Sequence, residues 1–200
     1  MPGRCALFLD RDGVLIEEVP YISSPNQVRL LPGAAEAVAR VNRLGVPVVV
    51  ITNQSGIARG LFTEADLLAV HRRINEMLAR LGAHIDRYYY CPHHPHAPRA
   101  EYRDTCTCRK PAPGLLHQAA RDLGIRLESS FFVGDRLSDI QAATAAGCSA
   151  ILVRTGQGQR WHHAWPTIPV RLALIAEDLA QAVEYCLPYF VRYQALAQAA

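Results

Sequence analysis

Five short apolar or aromatic runs, residues 6–9, 46–51, 88–90, 131–133 and 149–153, alternate along this chain with longer stretches that carry apolar residues at helical spacing. Ala34, Ala37, Val38, Val41 and Leu44 mark a helix over residues 33–44 that opens after Pro32 and stops at Gly45. Thr63, with Asp66 three positions on, has the pattern of a capping box, and Leu67, His71, Ile74, Leu78 and Leu81 then trace one helical face as far as Gly82. Further helices are expected over residues 115–123 and 139–146, each stopped by a glycine, followed by a strand over 172–175 and a helix from near Glu177. Strands alternating with helices of about ten to fifteen residues imply βαβ units, and so a parallel sheet covered on both faces. With 200 residues, 50% hydrophobic and 20% charged, the chain fits one such α/β domain.

Three of the predicted strands end on polar residues: Asp10, Thr52 and, after Gly134, Asp135. In open parallel sheets a site forms beyond the carboxyl ends of the strands, near the point where strand order reverses, so these three are expected to share one crevice. Asp12 converges on the same point because Gly13 turns the chain, and Lys110 is a fourth candidate member. A carboxylate nucleophile, a second carboxylate that passes a proton, a third that holds Mg²⁺, a hydroxyl and a lysine together suit phosphoryl transfer through an aspartyl-phosphate. Mg²⁺ keeps several of its waters and needs only two or three protein oxygens, which Asp10 and Asp135 fit. Lys110 and Thr52 offer the fixed charge and the hydrogen bond that a phosphate's spreading negative charge requires.

A second constellation lies between the third strand and the third helix. Of six cysteines, three cluster as Cys91-Pro92-His93 and Cys106-Thr107-Cys108. Three thiolates and an imidazole make the closed tetrahedral set of a structural Zn²⁺ site, with Cys91, His93, Cys106 and Cys108 as ligands and His94 and His96 as rivals for the histidine position. Residues 91–114 contain five prolines and no apolar period, so a metal clamp would position Arg109 and Lys110 over the crevice.

The segments Leu9-Asp10-Arg11-Asp12-Gly13-Val14 and Ile51-Thr52-Asn53-Gln54-Ser55-Gly56, with Lys110 and Gly134-Asp135, resemble the four ordered motifs of the haloacid dehalogenase-like phosphatase superfamily, over most of the chain. The resemblance implies a Rossmann-like three-layer α/β/α parallel sheet. It implies that Asp10 attacks phosphorus and that Asp12 protonates the leaving alcohol and then activates water, while Thr52 and Lys110 stabilise the phosphoryl group. It further implies that Asp10, Asp135 and the backbone carbonyl of Asp12 hold Mg²⁺ and that Asp139 orients Lys110. No large insertion separates the motifs, so no separate cap domain is expected, and the loop after Asp12 and the zinc loop would shade the pocket.

Within the superfamily, the Cys-Pro-His-His and Cys-x-Cys-Arg-Lys-Pro segments and residues 52–60 resemble the heptose-bisphosphate phosphatases, which remove the 7-phosphate of D-glycero-D-manno-heptose 1,7-bisphosphate in ADP-heptose synthesis for bacterial surface glycans. The nearest rivals are histidinol-phosphate phosphatase domains, which share the zinc loop but usually carry an acidic residue where this chain has Ser55. A sugar bisphosphate brings a second anion, and Arg59, Arg109 and Arg136 stand beside site motifs where they can meet it. By resemblance, Arg11, Glu18, Val19, Pro20, Tyr21, Asn53, Gln54 and Ser55 line the rest of the substrate pocket.

A formal charge of +3 and the absence of any long basic run argue against a nucleic-acid or membrane-surface partner. The first apolar stretch, residues 5–9, is too short for a signal-peptide core or a membrane span, and a cytoplasmic location is expected. The phosphatase domain is expected over residues 1–184. Tyr185, Leu187, Tyr189, Phe190, Val191 and Tyr193 make residues 185–200 locally apolar, an extension expected to fold back on the domain of a monomer rather than onto a second copy. Trp161, His162, His163 and Trp165 are expected to pack on the surface.

Overall fold

The first apolar run becomes strand β1 (Leu7–Leu9), and both of its neighbours run parallel to it: β2 (Val48–Asn53) on one side and β4 (Phe131–Gly134) on the other. The structure, a computed structural model, describes residues 3–162 and 172–198. Beyond these three strands lie β3 (Arg87–Cys91), β5 (Ser149–Val153) and β6 (Leu172–Ala176), giving a six-stranded parallel sheet in the order β3-β2-β1-β4-β5-β6. Chain order reverses between β1 and β4, which opens a crevice above their carboxyl ends.

Side chains alternate across the sheet and divide the core in two. Leu7, Leu9, Val48, Val50 and Val133 face one side, where they meet α1 (Ala34–Arg43), α2 (Glu64–Ala79) and α6 (Leu179–Gln198). Ala6, Phe8, Val49, Ile51 and Phe132 face the other, against α3 (Gly114–Leu123) and α4 (Leu137–Ala146). Burial on both faces explains why the strands read as continuous apolar runs. A short helix, α5 (Gly158–His162), follows β5. The three-layer α/β/α architecture is the one the sequence implies.

Several boundaries move for identifiable reasons. β2 starts after Pro47, whose ring nitrogen has no hydrogen to donate, and it runs on through Thr52 and Asn53 because these still pair with Tyr90 and Cys91 of β3. α4 begins at Leu137 rather than at Asp139, which sits in the first turn and accepts the Arg136 N–H at 2.9 Å. α2 ends at Ala79, so Leu81 lies in the following turn and is 52% exposed instead of belonging to the buried face.

Helix α6 crosses position 184 without a break and contains Pro188. Tyr185, Leu187, Phe190 and Tyr193 pack on the α1 side of the core, with the Phe190 ring 5.6 Å from that of Phe131 and the Tyr193 hydroxyl donating to the Gly3 carbonyl. Trp161 leans on the α3/α4 layer. His163, Trp165 and the side chain of His162 lie outside the described residues. Among the described residues, no helix is long and apolar enough to cross a membrane.

Candidate active site

Above the carboxyl ends of β1 and β4, Asp10, Asp135 and Asp139 each bring an oxygen within 4.8 Å of the others, and all three are buried. Lys110 enters the same space. Its Nζ lies 2.7 Å from Asp10 Oδ1 and 2.7 Å from Asp139 Oδ1, and it donates to the Ile51 carbonyl at 2.8 Å. Burial alone would discharge this ammonium, but Asp10 and Asp139 outweigh it and hold the lysine pKa above its ordinary value.

One lysine cannot balance three buried carboxylates. Burial pushes Asp10 up to about 6 despite Lys110, with Asp139 and Asp12 adding repulsion. Burial, Asp10 and Asp139 together push Asp135 up to about 8. Asp135 Oδ2 accepts the Gln157 N–H at 2.8 Å, whereas its buried Oδ1 has no hydrogen-bond partner and only the more distant charge of Arg136, whose Nε is 3.8 Å away. Gly13 at φ +80° and Gly156 at φ +58° close on this carboxylate, and a Cβ on either would collide with it. An excess of hard oxygen donors, one of them orphaned, fits a divalent cation such as Mg²⁺.

Asp12 stands at the mouth of this cluster, its side chain 20% exposed. Gln54 Nε2 donates to Asp12 Oδ2 at 3.1 Å and to the Thr52 hydroxyl at 2.8 Å, tying the ends of β1 and β2 together. Asn53 and the Lys110 backbone exchange two hydrogen bonds of 3.0 Å, so the amide of Asn53 sets the course of the lysine segment.

That segment is also anchored from its other side. The Sγ atoms of Cys91, Cys106 and Cys108 lie 3.0 to 3.4 Å apart, and His93 Nδ1 lies 3.4 Å from Cys108 Sγ and 3.9 Å from Cys91 Sγ. None of these cysteines is in a disulfide. Zn–S bonds of about 2.3 Å demand tetrahedral edges of roughly 3.8 Å, so the four donors fit Zn²⁺ after a small expansion. His94 turns its Nε2 toward Arg59 at 3.2 Å and its Nδ1 toward the His96 N–H, outside this group of four. The Cys91 carbonyl accepts the Gln54 N–H at 2.8 Å, and Arg109 Nη1 donates to the His93 carbonyl at 3.3 Å, linking the sulfur cluster to both flanks of the crevice.

A cleft of about 520 Å³ opens over these groups. Arg11, Glu18, Val19, Pro20, Tyr21, Asn53, Gln54, Ser55, Arg59, Arg109 and Arg136 all border it, joined by Gly56 of the second motif and by Ile22 and Ser138, which the sequence did not single out. The cations are not equally free. Arg136 is paired with Glu18, whose other oxygen accepts from Gln157 Nε2 at 2.6 Å. Arg59 lies over the Tyr21 ring at 6.0 Å. Arg11 is 1% exposed, its guanidinium turned to Asp12 and His71. Gln157 and His71 carried no sequence signal for a site, since each reaches it only through folding.

Family models match two stretches of the chain: a haloacid dehalogenase-like hydrolase model over residues 7–87 and a HAD-hydrolase-like model over residues 107–182. The D-glycero-beta-D-manno-heptose-1,7-bisphosphate 7-phosphatase of Photorhabdus laumondii is 43% identical over 156 residues, 78% of this chain and 83% of its own. The D-glycero-D-manno-heptose-1,7-bisphosphate 7-phosphatase of Chlorobaculum tepidum is 41% identical over 193 residues, covering 92% of this chain and 94% of its own. Among solved structures, the D,D-heptose 1,7-bisphosphate phosphatase of B. bronchiseptica, complexed with magnesium and phosphate, superposes with a TM-score of 0.82 at 39% identity and covers 92% of this chain and 98% of that one.

Proposed function

The chain belongs to the heptose-bisphosphate phosphatase family of the haloacid dehalogenase-like hydrolases, and from that premise we infer that it is a Mg²⁺-dependent phosphatase removing the 7-phosphate of D-glycero-D-manno-heptose 1,7-bisphosphate. Its product would feed ADP-heptose synthesis for bacterial surface glycans.

We assign the chemistry to this chain's residues as follows. A carboxylate oxygen of Asp10 attacks phosphorus. The bond from phosphorus to the sugar oxygen breaks, its electron pair moves onto that oxygen, and the oxygen takes the proton carried by Asp12. A water molecule then attacks phosphorus and gives a proton back to Asp12. The bond from phosphorus to Asp10 breaks with its pair returning to the carboxylate, and inorganic phosphate leaves. Thr52 and Lys110 face the phosphoryl oxygens, and Asp139 keeps Lys110 charged and aimed. Mg²⁺, held by Asp10, Asp135 and the backbone carbonyl of Asp12, supplies the positive charge that both the carboxylates and the transferring phosphoryl group need. Cys91, His93, Cys106 and Cys108 hold structural Zn²⁺, and Arg59 and Arg109 receive the second phosphate.

The observation that carries this reading is the buried cluster of three carboxylates against Lys110 and a more distant Arg136, with one Asp135 oxygen left without a hydrogen bond, an arrangement that fits a divalent cation and an anionic substrate. We further propose that the enzyme is a cytoplasmic monomer, in keeping with its six free cysteines and with Phe190 buried in its own core. Phosphate release from the C7 position with Mg²⁺ present, compared between the native enzyme and Asp10→Asn, tests the mechanism. The variant should keep its fold and bound zinc while turnover falls below roughly a thousandth of the native rate. Retained turnover would remove Asp10 from the role of nucleophile.

A further inference from the structure

Behind the proton carrier Asp12 lies an arginine that the reaction as written does not use. Arg11 is 1% exposed, and its charge partner is Asp12. Nη2 lies 3.0 and 2.9 Å from the two Asp12 oxygens, and Nε lies 3.2 Å from Oδ2. The remaining nitrogen, Nη1, lies 3.3 Å from Nε2 of His71 on α2. An arginine has no acceptor, so Nη1 donates, and His71 must present an unprotonated Nε2 with its own proton on Nδ1. His71 is 4% exposed, and its pKa is held down to about 3 by burial and by Arg11, in keeping with a neutral ring. The ring is stacked on Tyr88 at a centroid distance of 4.1 Å and an interplanar angle of 16°, and the Tyr88 hydroxyl is fixed by Asn75 at 2.9 Å. The ring is thus held by its stacking on Tyr88 and by Arg11 at Nε2, while its buried Nδ1 has no hydrogen-bond partner.

Burying a guanidinium costs several kcal/mol, and a well-packed apolar side chain of similar size commonly stabilises such a position more. The fork instead fixes the plane of the Asp12 carboxylate, which the Gln54 amide alone would hold by one oxygen at a partly exposed site. A proton carrier must lie within about 3 Å of the oxygen it serves, and a displacement of about 1 Å can lower a rate by roughly a hundredfold.

We propose that Arg11 is a positioning residue for Asp12, and that neutral His71 positions Arg11 in turn, so that α2 and β3 set the aim of the proton carrier. Arg11 borders the cleft, and its role there becomes the aiming of Asp12 in addition to the substrate lining that the resemblance implies. The inference rests on the assignment of Asp12 above, whose failure would show separately as near-native turnover in Asp12→Asn.

Four variants test it: Arg11→Lys keeps the charge without the fork, His71→Phe keeps the stacked ring without the acceptor, His71→Gln restores an acceptor, and Asp12→Asn reports on the underlying role of Asp12. The quantities read are kcat, the inhibition constant of inorganic phosphate, and the melting temperature. Expected results are a kcat lower by roughly tenfold or more for Arg11→Lys and by roughly three- to tenfold for His71→Phe, with phosphate inhibition within about twofold of native and kcat largely recovered in His71→Gln. Weakened phosphate inhibition in Arg11→Lys would place the arginine on the substrate and overturn the proposal. Native kcat in both Arg11→Lys and His71→Phe would overturn it as well, while leaving the Asp10 mechanism standing.

Discussion

Asp10 and Asp12 are separated by one residue, yet their surroundings differ by design of the turn between them. Asp10 is buried against Lys110 and two further carboxylates, whereas Asp12 sits at the cleft between Arg11 and Gln54. The crowding at the first site makes stability depend on metal and pH together. Without metal, Asp10 is pushed up to about 6 and Asp135 to about 8, above an ordinary 3.8, so the folded protein binds more protons than the unfolded chain between those values. Stability from these groups is therefore fullest at acid pH and is lost as pH rises through about 6 and then about 8. Mg²⁺ replaces the protons as the balancing charge. Its addition should raise the melting temperature by roughly 3 °C more at pH 8 than at pH 5, and Asp135→Asn should flatten that difference. Thermal shift measurements at the two pH values check this, and an equal gain at both would contradict the placement of the cation.

At the scale of elements, the strand ends were legible and the supports behind them were not. Asp10, Thr52 and Asp135 follow continuous apolar runs, which only a doubly covered parallel sheet explains, so their meeting point could be read from the order of residues. The zinc loop was legible for a similar reason, since three cysteines and a histidine in a proline-rich stretch have little else to do. His71, by contrast, occupies an apolar helical position and reads as core. Its bond to Arg11 spans 60 positions, and the bonds of Glu18 to Arg136 and Gln157 span 118 and 139. No local pattern encodes such pairs. The loop also carries a prediction: Cys106→Ser should release zinc, lower the melting temperature and reduce turnover by roughly tenfold, because the Arg109–Lys110 segment loses its anchor. Zinc analysis beside steady-state rates checks it, and full activity in a zinc-free variant would separate the loop from catalysis.

For the whole molecule, the sheet order brings the β1 and β4 ends together while α6 closes the opposite side of the core. Burial of Phe190 and the packing of Tyr185 and Tyr193 give the final helix an intramolecular partner for its apolar face, worth about 2–3 kcal/mol for the phenylalanine alone. On the monomer proposed above, sedimentation at two concentrations about a hundredfold apart should give one unchanged coefficient. A concentration-dependent rise would assign part of that helix to a second copy. The cleft carries Lys110 and Arg136 at the carboxylate cluster and Arg59 and Arg109 beside the zinc loop, an arrangement suited to a substrate with an anion at each end. The most direct measurement is therefore kcat/KM with Mg²⁺ for both anomers of D-glycero-D-manno-heptose 1,7-bisphosphate, for fructose 1,6-bisphosphate and for histidinol phosphate. One heptose anomer should exceed the other two compounds by roughly a hundredfold or more, with phosphate leaving from C7. A preference for histidinol phosphate would contradict the account.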